Sequence, residues 1–331
     1  MKMRTLGRTG LQVSELALGG LFVSSIGGEF EQSRTATLRA LELGINYIDT
    51  APGYMDSEQV LGKVLEGVKR PLIISTKLGS RPHPFDPQNR DQLLWSLDES
   101  LRLLNRDSVD VLMVHEPERT GQYAWWTDLN RFTGPVVDVL HDLKRRGLVK
   151  WFGLGGTTAY QMARVMESNQ FDVVLTAFNY NLLWREAEHE ILPMAKKLNM
   201  GVVIGSPLQQ GTLAKRHDDA VNDPTRIRWI SKPRREQFKA LYKYLDEIGM
   251  PLPELAMRFV ISNPDISCVL SGCRSSAEVE SNVGVVSKGP LPAEVLARCR
   301  QIADMLPYRP FEEPWALPFQ IDTILPMGTP R

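Results

Sequence analysis

The stretch 91–116, DQLLWSLDESLRLLNRDSVDVLMVHE, holds the unit from which the rest of the chain is built. Leu93, Leu94, Leu97, Leu101 and Leu104 recur at spacings of three and four, which predicts an amphipathic helix over 91–104. The segment 109–114 then runs almost unbroken through apolar residues, as a strand buried on both faces would. It ends on His115, where a parallel strand reaches its C-terminal edge.

The same alternation extends in both directions. Further strands are predicted at 15–18, 47–49, 72–76, 149–153, 173–176, 202–204 and 268–270, and further helices at 33–43, 136–146, 186–198, 234–248 and 276–283. Ser33 reads as a helix cap, and Gly44 and Gly147 as glycines just past helix ends. Eight strands joined by helical stretches predict a closed (β/α)₈ barrel. An open doubly wound sheet would carry a GxGxxG turn after its first strand. Here that strand runs into Leu18-Gly19-Gly20-Leu21, which lacks the spacing. The 331 residues suit one barrel domain spanning 1–331, with 306–331 read as a coil tail rich in proline and aromatics.

Composition removes several function classes. Lys+Arg and Asp+Glu both count 39, and no basic stretch is interleaved with aromatics, so nucleic acid is not an expected partner. No apolar run approaches the roughly 18 residues of a membrane span, and the first residues lack an apolar signal segment. Cys268, Cys273 and Cys299 have neither disulfide-framework nor zinc spacing. The expectation is a cytoplasmic protein with no membrane partner. The five histidines are scattered, without the HxH pattern of metal-dependent barrel hydrolases, so no metal is expected.

Polar residues stand where barrel strands end. Asp49 closes the strand at 47–49, with Tyr54 in the loop beyond; Lys77 follows the strand at 72–76, and His115 follows 109–114. Neighbouring strand ends share one rim, so the four can converge. Their chemistry is coherent. A carbonyl that accepts hydride needs a proton, which a tyrosine can give. A lysine ammonium beside it stabilises the phenolate and lowers its pKa, and a carboxylate holds the lysine charged. A neutral histidine can orient the carbonyl oxygen.

These residues resemble the aldo-keto reductase superfamily along almost the whole chain. Residues 4–11 look like its N-terminal hairpin, which closes the barrel floor. Residues 44–51 with Tyr54, Ser57 and Glu58 match one signature, and 100–115 a second. Residues 193–195 leading to Ser206-Pro207-Leu208 match a third. The resemblance implies Asp49, Tyr54, Lys77 and His115 as catalytic residues, with Tyr54 the proton donor in reduction. It also implies a nicotinamide cofactor across the barrel mouth. Gly19, Gly20 and Leu21 would line the nicotinamide end. Ser206, Pro207, Leu208 and the loop carrying Gln210 would cover the pyrophosphate. Gly272, Cys273, Arg274 and Ser275 would hold the adenosine phosphate at a helix N-terminus, with Glu278 nearby and Asn282 against adenine.

Some positions depart from the family. Gly155-Gly156, followed by Thr157, replaces the Ser-Asn pair that grips the carboxamide in many members. Ala177 replaces a glutamine, with Asn179 two residues on and expected on the same strand face. Gly205 replaces an aromatic. The pattern is similar to that of the superfamily's bacterial and plant sugar dehydrogenases.

Arg274 favours the 2′-phosphate of NADP(H), whereas Glu278 favours the free hydroxyl of NAD(H). For the substrate, a carbonyl compound or sugar, Tyr123, Trp125 and Trp126 beyond His115, Arg81, His83 and Phe85 beyond Lys77, and Trp184 offer aromatic walls and donors; a bulky apolar carbonyl is a further reading, since the same aromatics would bury it. The alternative is that Trp125 and Trp126 anchor their long loop to the rim. A regulatory subunit that binds cofactor and turns over slowly is the competing function, against which the complete set of four polar residues argues.

Overall fold

The structure, a computed structural model, describes residues 1–227, 230–310 and Glu313. The chain opens with an antiparallel hairpin of β1 (Met3–Thr5) and β2 (Gln12–Ser14), paired Met3 to Ser14. Eight strands follow: β3 (Leu16–Gly19), β4 (Tyr47–Asp49), β5 (Ile73–Leu78), β6 (Val109–His115), β7 (Val149–Gly156), β8 (Val173–Ala177), β9 (Gly201–Gly205) and β10 (Cys268–Ser271). They pair in parallel in chain order, and β10 returns to β3 to close the barrel.

Around it lie α1 (Phe30–Glu42), α2 (Ser57–Val64), α3 (Arg90–Leu104), α4 (Pro135–Arg145), α5 (Ala159–Met166), α6 (Ile191–Leu198), α7 (Asp218–Asn222), α8 (Lys232–Ile248), α9 (Leu252–Ile261), α10 (Ser276–Ser287) and α11 (Ala293–Asp304). The helix α10 packs against α1, so the outer ring closes where the barrel closes.

Two apolar layers follow from strand parity. Tyr47, Ile73, Val111, Met113, Val173, Leu175, Val203, Cys268 and Leu270 fill the barrel interior. Ile48, Ile74, Leu112, Val114, Val174, Val202 and Val269 face outward into the helix layer. Leu6, between the hairpin strands, joins the inner layer from below. Gly7 holds φ +50°, and a side chain there would strike the backbone of Gly201, the first residue of β9. The hairpin therefore plugs the end of the barrel where strands begin, and the functional residues sit at the other end.

The eight expected strands are all present, most extended by one to three residues. Several helix boundaries need correction. The first helix begins at Phe30, with Glu29 in the cap position, and Ser33 is a buried interior residue rather than a cap. The stretch expected as one helix over 186–198 is a 3₁₀ turn, Glu186–Glu188, and then α6. Pro193 explains the break, because proline lacks an N–H and fits only a first helical turn. The tail at 306–331 falls largely outside the described residues; 306–310 and Glu313 form neither helix nor strand.

Candidate active site

Register brings the strand ends into one cluster: Asp49 lies beside Ser75, Lys77 beside Met113, and His115 beside Gly155. The Lys77 ammonium donates to Asp49 Oδ2 at 2.7 Å and to the Thr50 carbonyl at 2.8 Å. Asp49 and Lys77 are each 1% exposed. Ser75 Oγ donates to the other Asp49 oxygen at 2.6 Å and accepts from Tyr47 OH at 2.9 Å. A buried ion pair is tolerable only when its remaining polar atoms are met, and these bonds meet them. Gly155 completes the arrangement, since a side chain there would press on Lys77 Cε at 3.3 Å.

Tyr54 and His115 cover this pair. The Lys77 nitrogen lies 4.7 Å from the centre of the Tyr54 ring. The Tyr54 and His115 rings meet edge to face, 6.2 Å apart. Burial pushes the Tyr54 phenol above its usual pKa, while Lys77 pulls it down and Asp49 pushes it up. This corrects the expectation of a lowered value: Lys77 acts in the expected direction, and burial outweighs it. Tyr54 therefore keeps its proton at neutral pH, as a donor must. Burial also works against the Lys77 charge, but Asp49 and Tyr54 outweigh it and raise the ammonium above its ordinary value. Burial, with Lys77 and Arg119, drives His115 down to about 3, so its ring is neutral. Its Nδ1 is buried with no hydrogen-bond partner among the described residues. An unmet N–H costs more than an unmet lone pair, which puts the proton on Nε2.

At the proposed cofactor positions, Gly19 to Leu21 turn over the end of β3, next to Ser271 and Gly272 at the end of β10. Ser275 caps α10 by accepting from the Glu278 amide at 3.3 Å, and Glu278 accepts from the Arg274 amide at 2.8 Å. The Arg274 guanidinium is exposed, lies 4.5 Å over the Phe22 ring, and has no ion pair among the described residues. Asn282 donates to Ser271 Oγ at 2.8 Å. Cys273 is buried, its sulfur against Ser271 and Asn282. Ser206 and Gln210 take left-handed backbone conformations on either side of Pro207 and Leu208.

Asn179 differs from expectation. The strand β8 ends at Ala177, and Phe178 turns left-handed, so strand parity no longer applies. Both Asn179 amide hydrogens serve the protein, one on the Thr157 carbonyl and one on Thr176 Oγ1. Gly156 is explained by a residue the sequence did not single out. Glu118 accepts from the amides of Thr157 and Thr158, and its carboxylate fills the space of a side chain at 156. Beside it, Glu116 accepts from Thr157 Oγ1 and pairs with Arg119; burial, with Glu118, raises it to about 7.

The expected substrate residues divide. Trp125 is 0% exposed and donates to the His115 carbonyl at 3.0 Å; Trp126 is 7% exposed and donates to the Pro117 carbonyl at 2.8 Å. Trp184 is 1% exposed, donates to Glu313, and lies under the Arg234 guanidinium. These three indoles are loop anchors, which corrects their placement in the pocket. Arg81 turns away to pair with Glu58 at 2.7 Å and bond Ser100 at 2.8 Å. His83 is exposed in the same loop. In the same two loops Ser80 is exposed, and its hydroxyl bonds that of Tyr123. Tyr123 and Phe85, expected in the same pocket, are half-buried.

A closed parallel barrel with a buried lysine–carboxylate pair beneath a tyrosine and a neutral histidine defines an α/β-barrel enzyme with acid–base groups at its mouth. The Aldo/keto reductase family pattern matches residues 16–304. The chain is 31% identical over 299 residues to L-galactose dehydrogenase of Arabidopsis thaliana, covering 87% of this chain and 89% of the relative. It is 31% identical over 326 residues to pyridoxal 4-dehydrogenase of Microbacterium luteolum, covering 85% and 91%. In fold it is similar to an aldo-keto reductase from Bacillus halodurans in its holo form, with TM-score 0.73, 24% identity, and 95% and 100% of the two chains covered. The chain belongs to the aldo/keto reductase family. It is an oxidoreductase of the kind that uses a nicotinamide cofactor.

Among the described residues there is no group of three or more potential metal ligands, and no helix is long and apolar enough to cross a membrane.

Proposed function

We propose that this oxidoreductase interconverts a carbonyl, in a hydroxylated or sugar-like substrate, and the corresponding alcohol, with NADP(H) preferred over NAD(H). The observation that carries the reading is the Lys77–Asp49 pair under Tyr54, with neutral His115 beside it. The reduced nicotinamide supplies the hydride when bound. In reduction Tyr54 passes its phenolic proton to the substrate oxygen, and the phenolate left behind is stabilised by the Lys77 ammonium. Asp49 keeps that ammonium charged and in place. Neutral His115 donates from Nε2 to the same oxygen and orients it. In oxidation the steps reverse, with Tyr54 as base.

The residues fit the cofactor at both ends. Gly19, beside Asp49 in register, with Gly20 and Leu21 after it, and Thr157, two residues beyond the Gly155 that lies beside His115, would line the nicotinamide end. The start of α10 offers backbone N–H groups and the positive end of its dipole, and the exposed Arg274 guanidinium, without an ion pair among the described residues, would take a 2′-phosphate. Ser206, Pro207, Leu208 and Gln210 follow β9, which pairs with β10 on the side away from β3, and would cover the pyrophosphate from there. Cys268, Cys273 and Cys299 are free and buried, which suits a reducing compartment such as the cytoplasm.

The test is a steady-state panel of aldoses, small hydroxyaldehydes and simple aldehydes, with both cofactors, in both directions. Sustained turnover with NADP(H) favoured is expected. Tight cofactor binding without turnover on any member would contradict the enzyme reading and favour a regulatory, cofactor-binding role.

A further inference from the structure

Three loops meet beside Tyr54, and a pair of hydroxyls joins two of them. Ser80 Oγ and Tyr123 OH lie 3.0 Å apart on the exposed rim, one from the loop after β5 and one from the loop after β6. A side-chain carbon built on Gly53, the residue before Tyr54, would lie 3.0 Å from Ser80 Oγ. One built on Gly79 would lie 3.4 Å from His115 Cβ, 3.5 Å from Trp125 Cζ2 and 3.6 Å from Tyr123 Cε2. The Tyr123 ring and the His115 side chain therefore both border Gly79, and the Ser80 hydroxyl lies next to the turn that carries Tyr54. Phe85, Tyr123 and Trp125 stand 5.5 Å apart in every pairing. Trp125 is fully buried at the back and fixes the other two, which keep part of their surface open. Ser80 holds φ +66°, uncommon for a residue with a side chain.

We propose that the Ser80–Tyr123 hydroxyl pair, set against the faces of Tyr123 and Phe85, is the specificity site that reads a hydroxyl close to the substrate's carbonyl. This rests on the oxidoreductase reading above and names its substrate class more narrowly. Two hydroxyls bonded to each other use one proton and one lone pair. They leave one O–H donor and several acceptor lone pairs facing the rim. A substrate hydroxyl, itself donor and acceptor, satisfies both kinds. An alkyl chain in its place satisfies neither and leaves the pair to water. The aromatic faces bury the C–H side of the same carbon chain. The competing account is a latch that only ties two loops together, and the experiment separates the two.

Wild type, Tyr123→Phe and Ser80→Ala are compared on matched pairs: glyceraldehyde with propionaldehyde, and an aldose with its single-deoxy analogue. A neutral hydrogen bond of about 0.5–1.5 kcal/mol corresponds to roughly 2- to 13-fold in kcat/KM. Wild type is expected to prefer the hydroxylated member, and each variant to cut that preference by this factor, mainly through KM. An unchanged preference in both variants overturns the proposal. So does an equal loss on both members with a lowered Tm, the signature of a latch. Failure of the wild type to turn over any carbonyl would overturn the oxidoreductase reading and this proposal with it. Turnover with unchanged preference overturns this proposal alone.

Discussion

At the scale of single residues, burial and charge pull against each other, and which one wins differs from group to group. For Tyr54 burial wins over Lys77; for Lys77 the carboxylate and phenol win over burial. His115 sits so far below its ordinary value, at about 3, that it cannot produce an inflection near pH 6.5. Glu116, at about 7, can. Its carboxylate, once ionised, pushes the Tyr54 phenol further up and makes it a weaker acid. Reduction is therefore predicted to slow as pH rises through about 7. In Glu116→Gln that inflection should disappear from the pH profile of kcat/KM; a profile unchanged by the substitution would refute the assignment. Stability carries its own sign for His115. Its folded pKa lies below the unfolded value of about 6.5. The unfolded chain thus takes up a proton that the fold refuses, and stability falls as pH drops from about 6.5 towards 3. His115→Gln should flatten that acid limb in urea denaturation curves taken at several pH values.

At the scale of elements, the sequence was most legible where one periodicity ran unbroken. A strand buried on both faces of a barrel is a short apolar run whose polar successor marks the mouth. Asp49, Lys77 and His115 could be placed from that rule alone. Helix starts were harder to read. Ser33 had the chemistry of a cap, but the chain enters α1 three residues earlier, after Gly28. The tryptophans failed for a related reason. An indole on a loop can face a ligand or plug the rim, and which it does depends on acceptors elsewhere in the fold. The carbonyls of His115 and Pro117 settle it here. Arg81 leaves the mouth for partners that no local pattern announces, Glu58 on α2 and Ser100 on α3.

Trp125→Ala is accordingly predicted to act on stability, at roughly 3–5 kcal/mol, the range for truncating a large buried aromatic. A variant with native stability but altered substrate choice would return Trp125 to the pocket. At the start of α10, Arg274→Ala should cut the preference for NADPH over NADH by roughly 10- to 150-fold, the worth of a charge-assisted hydrogen bond. Equal effects on both cofactors would show that Arg274 does not read the 2′-phosphate.

For the molecule as a whole, the hairpin seals one end of the barrel and the chain returns near its end to brace the other. Arg234 on α8 holds Glu313 through Nε at 2.7 Å and Nη2 at 3.0 Å, and Trp184 Nε1 donates to the same carboxylate at 2.9 Å. Arg234 and Glu313 are both buried. Arg309 adds a bond to the Phe178 carbonyl, so the segment near the C-terminus grips the loop that follows β8. Removing one partner of a buried pair strands the other charge, at a cost of roughly 3–5 kcal/mol. Glu313→Ala should lower the urea midpoint accordingly, and a midpoint equal to wild type would show that the clasp is not needed. None of this was readable in order along the chain, because Trp184, Arg234 and Glu313 come together only across the fold.

The central claim is that Tyr54 transfers the proton in this oxidoreductase. Its most direct test is Tyr54→Phe, assayed by steady-state turnover on the best substrate and, in parallel, by the Kd for NADPH from fluorescence titration. The account predicts a loss of kcat of roughly 10²–10⁴-fold with the Kd nearly unchanged, because the substitution removes the transferable proton and little else. Turnover within a few-fold of wild type would contradict it.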